Sequence, residues 1–198
     1  GWPPPTGGLS MELSGSGPGG AQEFRYVQSQ GYQAATAQME ALAMASQDPN
    51  ALMQVLRLDP WHVDTLLAVA SVVRYMGDHA AAADFLERAL YALEGAWHPG
   101  FQPATGLCRL SYDWPANRPL FDALFLHATA LSRRGCHRTA LEAAKLLLGL
   151  DGSDPKGALF CVDYLALRAD QEDFLLRLVE EWPGDGLDLL PNFAFSTA

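Results

Sequence analysis

The sequence predicts an all-α protein, a right-handed α-solenoid of irregular helical hairpins, and three observations carry that expectation. From about residue 29 onward, apolar residues recur at i, i+3, i+4 and i+7 in one segment after another. Two segments, "YMGDHAAAADFLERALYAL" and "RRGCHRTALEAAKLLLGL", align glycine on glycine with matching small and apolar positions behind it. No segment shows sustained strand alternation.

Composition fits this class. The chain has 198 residues, 49% of them hydrophobic, enough for one substantial core or a short array of repeats. Its three cysteines, Cys108, Cys136 and Cys161, are odd in number and widely spaced, which argues against a secreted disulfide framework and for a reducing compartment. No apolar run reaches the roughly 18 residues of a membrane span. The chain starts at Gly1 without a methionine, the expectation for a fragment.

Residues 1–20 hold seven glycines and four prolines without apolar periodicity, so residues 1–22 are expected to be a disordered linker. Residues 23–198 are expected to form the repeat domain. Helical stripes follow in order: Val63, Leu66, Leu67, Ala70 and Val73; Ala82, Phe85, Leu86, Ala89, Leu90 and Leu93; Phe121, Leu124, Phe125, Ala128 and Leu131. Two more complete the series: Ala158, Cys161, Val162 and Leu165; Phe174, Leu175, Leu178, Val179 and Trp182. Three Asp-Pro pairs, at Asp48, Asp59 and Asp154, are expected to start helices, with Asp as N-cap and Pro at the first position.

Aligning Gly77 with Gly135 puts Ala82 on Ala140 and Leu86 on Ala144. A glycine that turns the chain, then a small residue that admits a close helix, is the spacing of a tetratricopeptide-like hairpin. The two glycines stand 58 positions apart, against the usual ~34. The excess falls in the loop 95–118, which is too long for an ordinary helix connection. This loop gathers His98, Phe101, Arg109, Trp114, Asn117 and Arg118, the residue types of interface anchors. The alternative is that its aromatics pack back on the helices while Arg109 and Arg118 pair with Asp113 or Asp122.

The net charge of −10 disfavours direct nucleic-acid binding. Charge is uneven, however: residues 151–198 hold ten acids against three bases, while Arg133, Arg134, Arg138 and Lys145 face only Glu142 within 133–145. That basic stretch reads either as a solvated helix face or as a surface for an acidic partner or RNA. Cys136 beside His137 invites a catalytic reading, but neighbouring side chains on a helix diverge by about 100°, and no third group orients a base. The histidines have no paired metal-ligand spacing, and a zinc site joining His98, Cys108 and Cys136 has no motif behind it. No cofactor, metal or catalytic residue is expected, and the chain reads as a non-enzyme.

Several segments together, "LDPWHVDTLL", "LERALYALEGAWHPGF", "GLCRLSYDWPANRPLFDALF", "RRGCHRTALEAAKLLLGLD", "VDYLALRA" and "LPNFAFS", resemble the helical-repeat region of the transcription factor 25 family, which includes subunit 1 of the ribosome quality control complex. The resemblance covers roughly residues 24–195. The positions that match best are His62, Asp64, Glu87, Arg88, His98, Pro99, Arg109, Asn117, Arg118, Gly135, Cys136, Arg168, Asn192 and Phe193. It implies a non-catalytic adaptor on stalled large ribosomal subunits. Such an adaptor works with the E3 ligase Listerin and ubiquitin, so that incomplete chains are ubiquitinated and extracted. It also implies a cytoplasmic location, and the family's older description as repressors adds a nuclear pool and a transcriptional role as the alternative. The family's basic N-terminal region and the sequence following "PNFAFS" are absent, so the array is expected to lack its C-terminal cap and to self-associate.

Overall fold

The computed structural model describes residues 2–5, 8–45, 49–182 and 186–197. Among them the chain is mostly helical: α1 (Gln30–Ala45), α2 (Pro49–Leu58), α3 (Val63–Tyr75), α4 (His79–Gly95), α5 (Arg118–Arg133), α6 (His137–Leu150), α7 (Leu159–Arg168), α8 (Glu172–Glu181) and α9 (Pro191–Ser196). A three-stranded sheet corrects the all-α expectation: β1 (Leu9–Ser16), β2 (Gln22–Gln28) and β3 (Cys108–Leu110), in the order β1-β2-β3.

The sheet also overturns the reading of residues 1–22 as a disordered linker. β1 pairs antiparallel with β2 from Leu9 opposite Gln28 to Ser16 opposite Gln22, with a bulge between Leu13 and Gly15. The glycines and Pro18 that suggested disorder form the connection, closed by the Gly17 N–H on the Ala21 carbonyl. β2 does alternate. Phe24 and Tyr26 point into the core and Glu23 and Arg25 outward, a pattern too short to stand out in a helical chain. The segment before β1 also packs, with the Trp2 ring edge-on to Tyr91 and Trp61 at 5.5 and 6.3 Å.

The two aligned glycines form matching turns between packed helices, α3 with α4 and α5 with α6. α3 ends at Gly77 (φ 91°), where the Asp78 N–H returns to the Val73 carbonyl. α5 ends at Gly135 (φ 79°), where the Cys136 N–H returns to Leu131. Both turns are Schellman caps, whose left-handed residue favours glycine. A third turn joins α7 to α8 by the same bond, the Gln171 N–H on Ala166, around Asp170 at φ 53°. It follows Gly135 by 35 positions, against the 58 that separate Gly77 from Gly135.

The residue five places after each turn, Ala82, Ala140 or Leu175, is buried. Each helix from α3 to α8 packs on its neighbours in sequence, and α3 also touches α5. Beyond α8, α9 covers part of α7: Phe193 is fully buried, and the Asp163 carboxylate accepts from the Asn192 amide at 3.1 Å and the Ser196 hydroxyl at 2.9 Å. Phe195, Leu189 and Phe160 stay exposed at that end.

The Asp-Pro pairs act differently from expectation. Asp48 lies outside the described residues. Asp59 accepts the Trp61 N–H and does not open a helix; α3 is capped by His62, whose Nδ1 accepts the Thr65 N–H at 3.3 Å. Asp154 sits at φ 50° and reaches past Pro155 to accept the N–H groups of Ala158 and Leu159 at 2.7 and 3.0 Å. It caps α7 from outside, satisfying donors that the helix leaves open.

Candidate docking surface

The loop 95–118 is built onto the sheet. β3 runs parallel to β2 but stops at Leu110 opposite Phe24, which leaves Tyr26 without a strand neighbour on that edge. Side chains take over. Asn117 Oδ1 accepts the Tyr26 N–H at 2.8 Å, and the Trp114 indole N–H donates to the Tyr26 carbonyl at 3.0 Å. Asn117 also donates to the Ser111 carbonyl at 2.9 Å, so it stands ahead of α5 without capping it. The Tyr26 hydroxyl donates to the Leu93 carbonyl and accepts from the Trp97 indole, tying β2 to α4 and to the loop. Burial holds this phenol's pKa well above its ordinary value.

The predicted loop residues therefore divide. Phe101 and Asn117 are buried in the fold and offer no surface. Phe101 lies between Phe24 and Trp97, with ring centroids 5.2 and 5.0 Å away. His98 is half-buried beside Phe24, its Nδ1 accepting the Gly100 N–H. Arg109 and Arg118 do not pair with Asp113 or Asp122. Arg109 donates to the carbonyls of Gly106 and Cys108, Arg118 to that of Tyr112, and Asp122 instead pairs with Lys156 at 2.6 Å. Trp114 stays 42% exposed with the Arg25 guanidinium 4.7 Å above its ring. The packing-back reading thus describes most of the loop.

Cys136 is exposed at the start of α6, and the His137 imidazole is engaged elsewhere: Nε2 receives the Arg168 Nε–H at 3.3 Å, and the ring lies edge-on to Tyr164. Among the described residues no cluster of three or more His, Cys, Asp or Glu side chains could hold a metal ion, and His98, Cys108 and Cys136 are not gathered. Cys161 is half-buried; burial first, then Asp154 and Asp163, pushes its thiol pKa up.

Arg133 and Arg134 stand at a different place from the loop. With Arg74 and His79 they line a cleft of about 260 Å³ between α3, α4 and α5, floored by Ala70, Ala82, Leu86, Leu126 and Ala130. Arg138, on α6, does not line it. Arg74 and Arg133 occupy the last turns of α3 and α5, where cations complement the helix dipole. Sequence reading missed Arg74, His79 and the floor. The available signal was the alanine run 80–83: small side chains on a packed helix leave room that larger ones would fill.

A sequence model of the family described as transcriptional repressor TCF25 matches residues 24–198. The chain is 43% identical over 191 residues to the human ribosome quality control complex subunit TCF25, covering 96% of this chain and 28% of that protein. It is 36% identical over 200 residues to ribosome quality control complex subunit 1 of Schizosaccharomyces pombe, covering 100% of this chain and 30% of the relative. A probable transcription factor, claV, of Ampulloclitocybe clavipes is 45% identical over 136 residues, 68% of this chain and 17% of its own length. The chain thus spans less than a third of the length of these relatives. No solved structure matches it. No helix among the described residues is long and apolar enough to cross a membrane. With the hairpins, the buttressed loop and this match along residues 24–198, the chain belongs to the TCF25 family.

Proposed function

We propose that this chain is the helical-array part of a non-catalytic adaptor in ribosome quality control, which assists ubiquitination and extraction of incomplete chains on stalled large ribosomal subunits. The observation that carries the reading is the 43% identity, along nearly the whole chain, to a human protein named as a subunit of that complex. The proposed partners are the large subunit, Listerin and ubiquitin, and the proposed site is cytoplasmic. The hairpins suit such a role, because stacked helical pairs expose extended grooves; a right-handed solenoid is the proposed form of the array. Buried polar side chains such as His62, Asn117 and Asp163 are committed to caps and to strand and helix contacts, which favours a scaffold over an enzyme.

Affinity purification of the full-length protein tests this reading. Large-subunit proteins, Listerin and ubiquitinated chains are expected to co-purify, and their absence from a preparation that recovers the bait overturns it. The family description and the claV name favour a second reading, a nuclear regulator of transcription acting through protein contacts. Recovery of chromatin-bound proteins instead of ribosomal ones supports that alternative.

A further inference from the structure

The cleft at Arg133 is one part of a longer groove. A second cleft of about 310 Å³ lies between α3 and α5 and shares Ser71 and Leu126 with the first. A third of about 170 Å³, between α5, α6 and α7, shares Thr129 and Arg133 with the first and Phe125 with the second. The shared residues place the three clefts side by side along α5, and we read them as one trough. Its floor is alanine, leucine and Phe125, and each cleft far exceeds the ~30 Å³ share of a water molecule.

The rim is cationic in a chain of net charge −10. Among the described residues, Arg74, Arg133 and Arg134 have no carboxylate within ion-pair distance, and their guanidinium groups make no hydrogen bond or ring contact. Several other arginines are engaged: Arg88 donates to the Pro60 carbonyl and lies over Trp61, Arg118 lies over Tyr112, and Arg25 pairs with Glu12; Arg57 and Arg138 are as free as the groove's three but do not line it. The acid of the trough, Asp122, is neutralised by Lys156. An apolar floor beneath uncompensated arginines fits a ligand that is apolar on one side and anionic on the other.

We propose that this groove docks an acidic, leucine-bearing peptide segment of a partner protein, with its apolar side chains on the α3–α5 floor and its carboxylates on Arg74, Arg133 and Arg134. RNA fits less well. The rings of the groove, His79, Phe125 and Tyr164, are spread over its three clefts, and its cations are too few to track a phosphate backbone against the chain's own negative charge.

Fluorescence anisotropy with the purified chain tests the assignment, using a labelled peptide of alternating glutamate and leucine, its glutamine and lysine counterparts, and a labelled oligouridylate. The glutamate peptide is expected to bind about tenfold tighter than the glutamine one, with affinity falling as salt rises. Replacing Arg133→Gln and Arg134→Gln together, or filling the cleft with Ala83→Phe, should each weaken it about tenfold while the chain stays folded, the arginine variant losing only the small contribution of a cation at the end of α5. Equal binding of the lysine peptide, undiminished affinity in the arginine double variant, or preference for oligouridylate overturns the proposal. The inference rests on the adaptor reading, but its probe is a synthetic peptide. Failure here removes the groove and leaves co-purification with the large subunit to decide that reading.

Discussion

The Asn117 side-chain oxygen accepts the Tyr26 backbone N–H at 2.8 Å, across 91 positions of sequence, and stands in for the strand neighbour that β3 is too short to supply. Both residues are buried, so no water replaces the bond if it is lost. Asn117→Ala is expected to cost about 2–3 kcal/mol, because it strands a buried donor as well as removing a contact. Urea unfolding measures this. A loss below about 0.5 kcal/mol would mean that the edge of β2 finds another partner.

The three hairpin turns allow a matched comparison. Gly77 and Gly135 hold the left-handed conformation at no steric cost, whereas Asp170 holds it with a side chain. Asp170→Gly is expected to raise stability by up to about 1 kcal/mol, and Gly135→Ala to lower it by about 1 kcal/mol, although a Cβ at Gly135 meets no atom within 4 Å. Asp154 shares the positive φ but caps α7, so Asp154→Ala, which loses the cap and keeps the strain, is expected to destabilise by about 1–2 kcal/mol. The signs of these changes, read from thermal midpoints, separate backbone strain from capping.

Two histidines give the fold an acid-sensitive component. His62 is fully buried, and burial lowers its pKa below 6.5 despite the pull of Asp64 and Asp59. Burial also lowers that of His127, opposed by Glu87 and aided by Arg134. The folded chain therefore takes up these protons less readily than the unfolded chain. The associated stability is complete above the unfolded pKa and declines as pH falls below about 6.5. Urea midpoints are expected to drop between about pH 7.5 and pH 5.5. His62→Asn keeps an N-cap acceptor and should flatten that drop.

The two phenylalanines of α9 should behave oppositely. Phe193 is fully buried against α7, and Phe195 is 86% exposed. Phe193→Ala is expected to cost about 3–4 kcal/mol, and Phe195→Ala less than about 0.5 kcal/mol. If Phe195, with Leu189 and Phe160, drives self-association, Phe195→Ala should shift sedimentation toward monomer without changing the unfolding midpoint. An unchanged distribution would exclude that patch as the cause.

The helical part of the fold was legible because each stripe is a local pattern, and because glycine is the residue a left-handed turn prefers. The third hairpin escaped notice because Asp170 fills the same backbone state without the glycine that marks it. The strands were missed because β2 shows its alternation over only seven residues, its neighbour β1 lies in a glycine- and serine-rich stretch, and its other edge is completed far along the chain by β3 and the Trp114–Asn117 segment. The loop residues were singled out by type, but residue type alone could not separate the exposed Trp114 from the buried Asn117, although both bond the backbone of the same residue, Tyr26.

By itself, the sequence determined the amphipathic helices, the turns at Gly77 and Gly135, the inserted loop and the family, since these depend on period, composition and local order. Only the tertiary structure decided that the glycine-rich start folds back as a strand, that Asn117 and Phe101 serve the core, and that Arg74, Arg133 and Arg134 converge on one groove. The physical reason is separation along the chain: a bond across 91 positions, or arginines from different helices around one cleft, exists only once the intervening helices have packed.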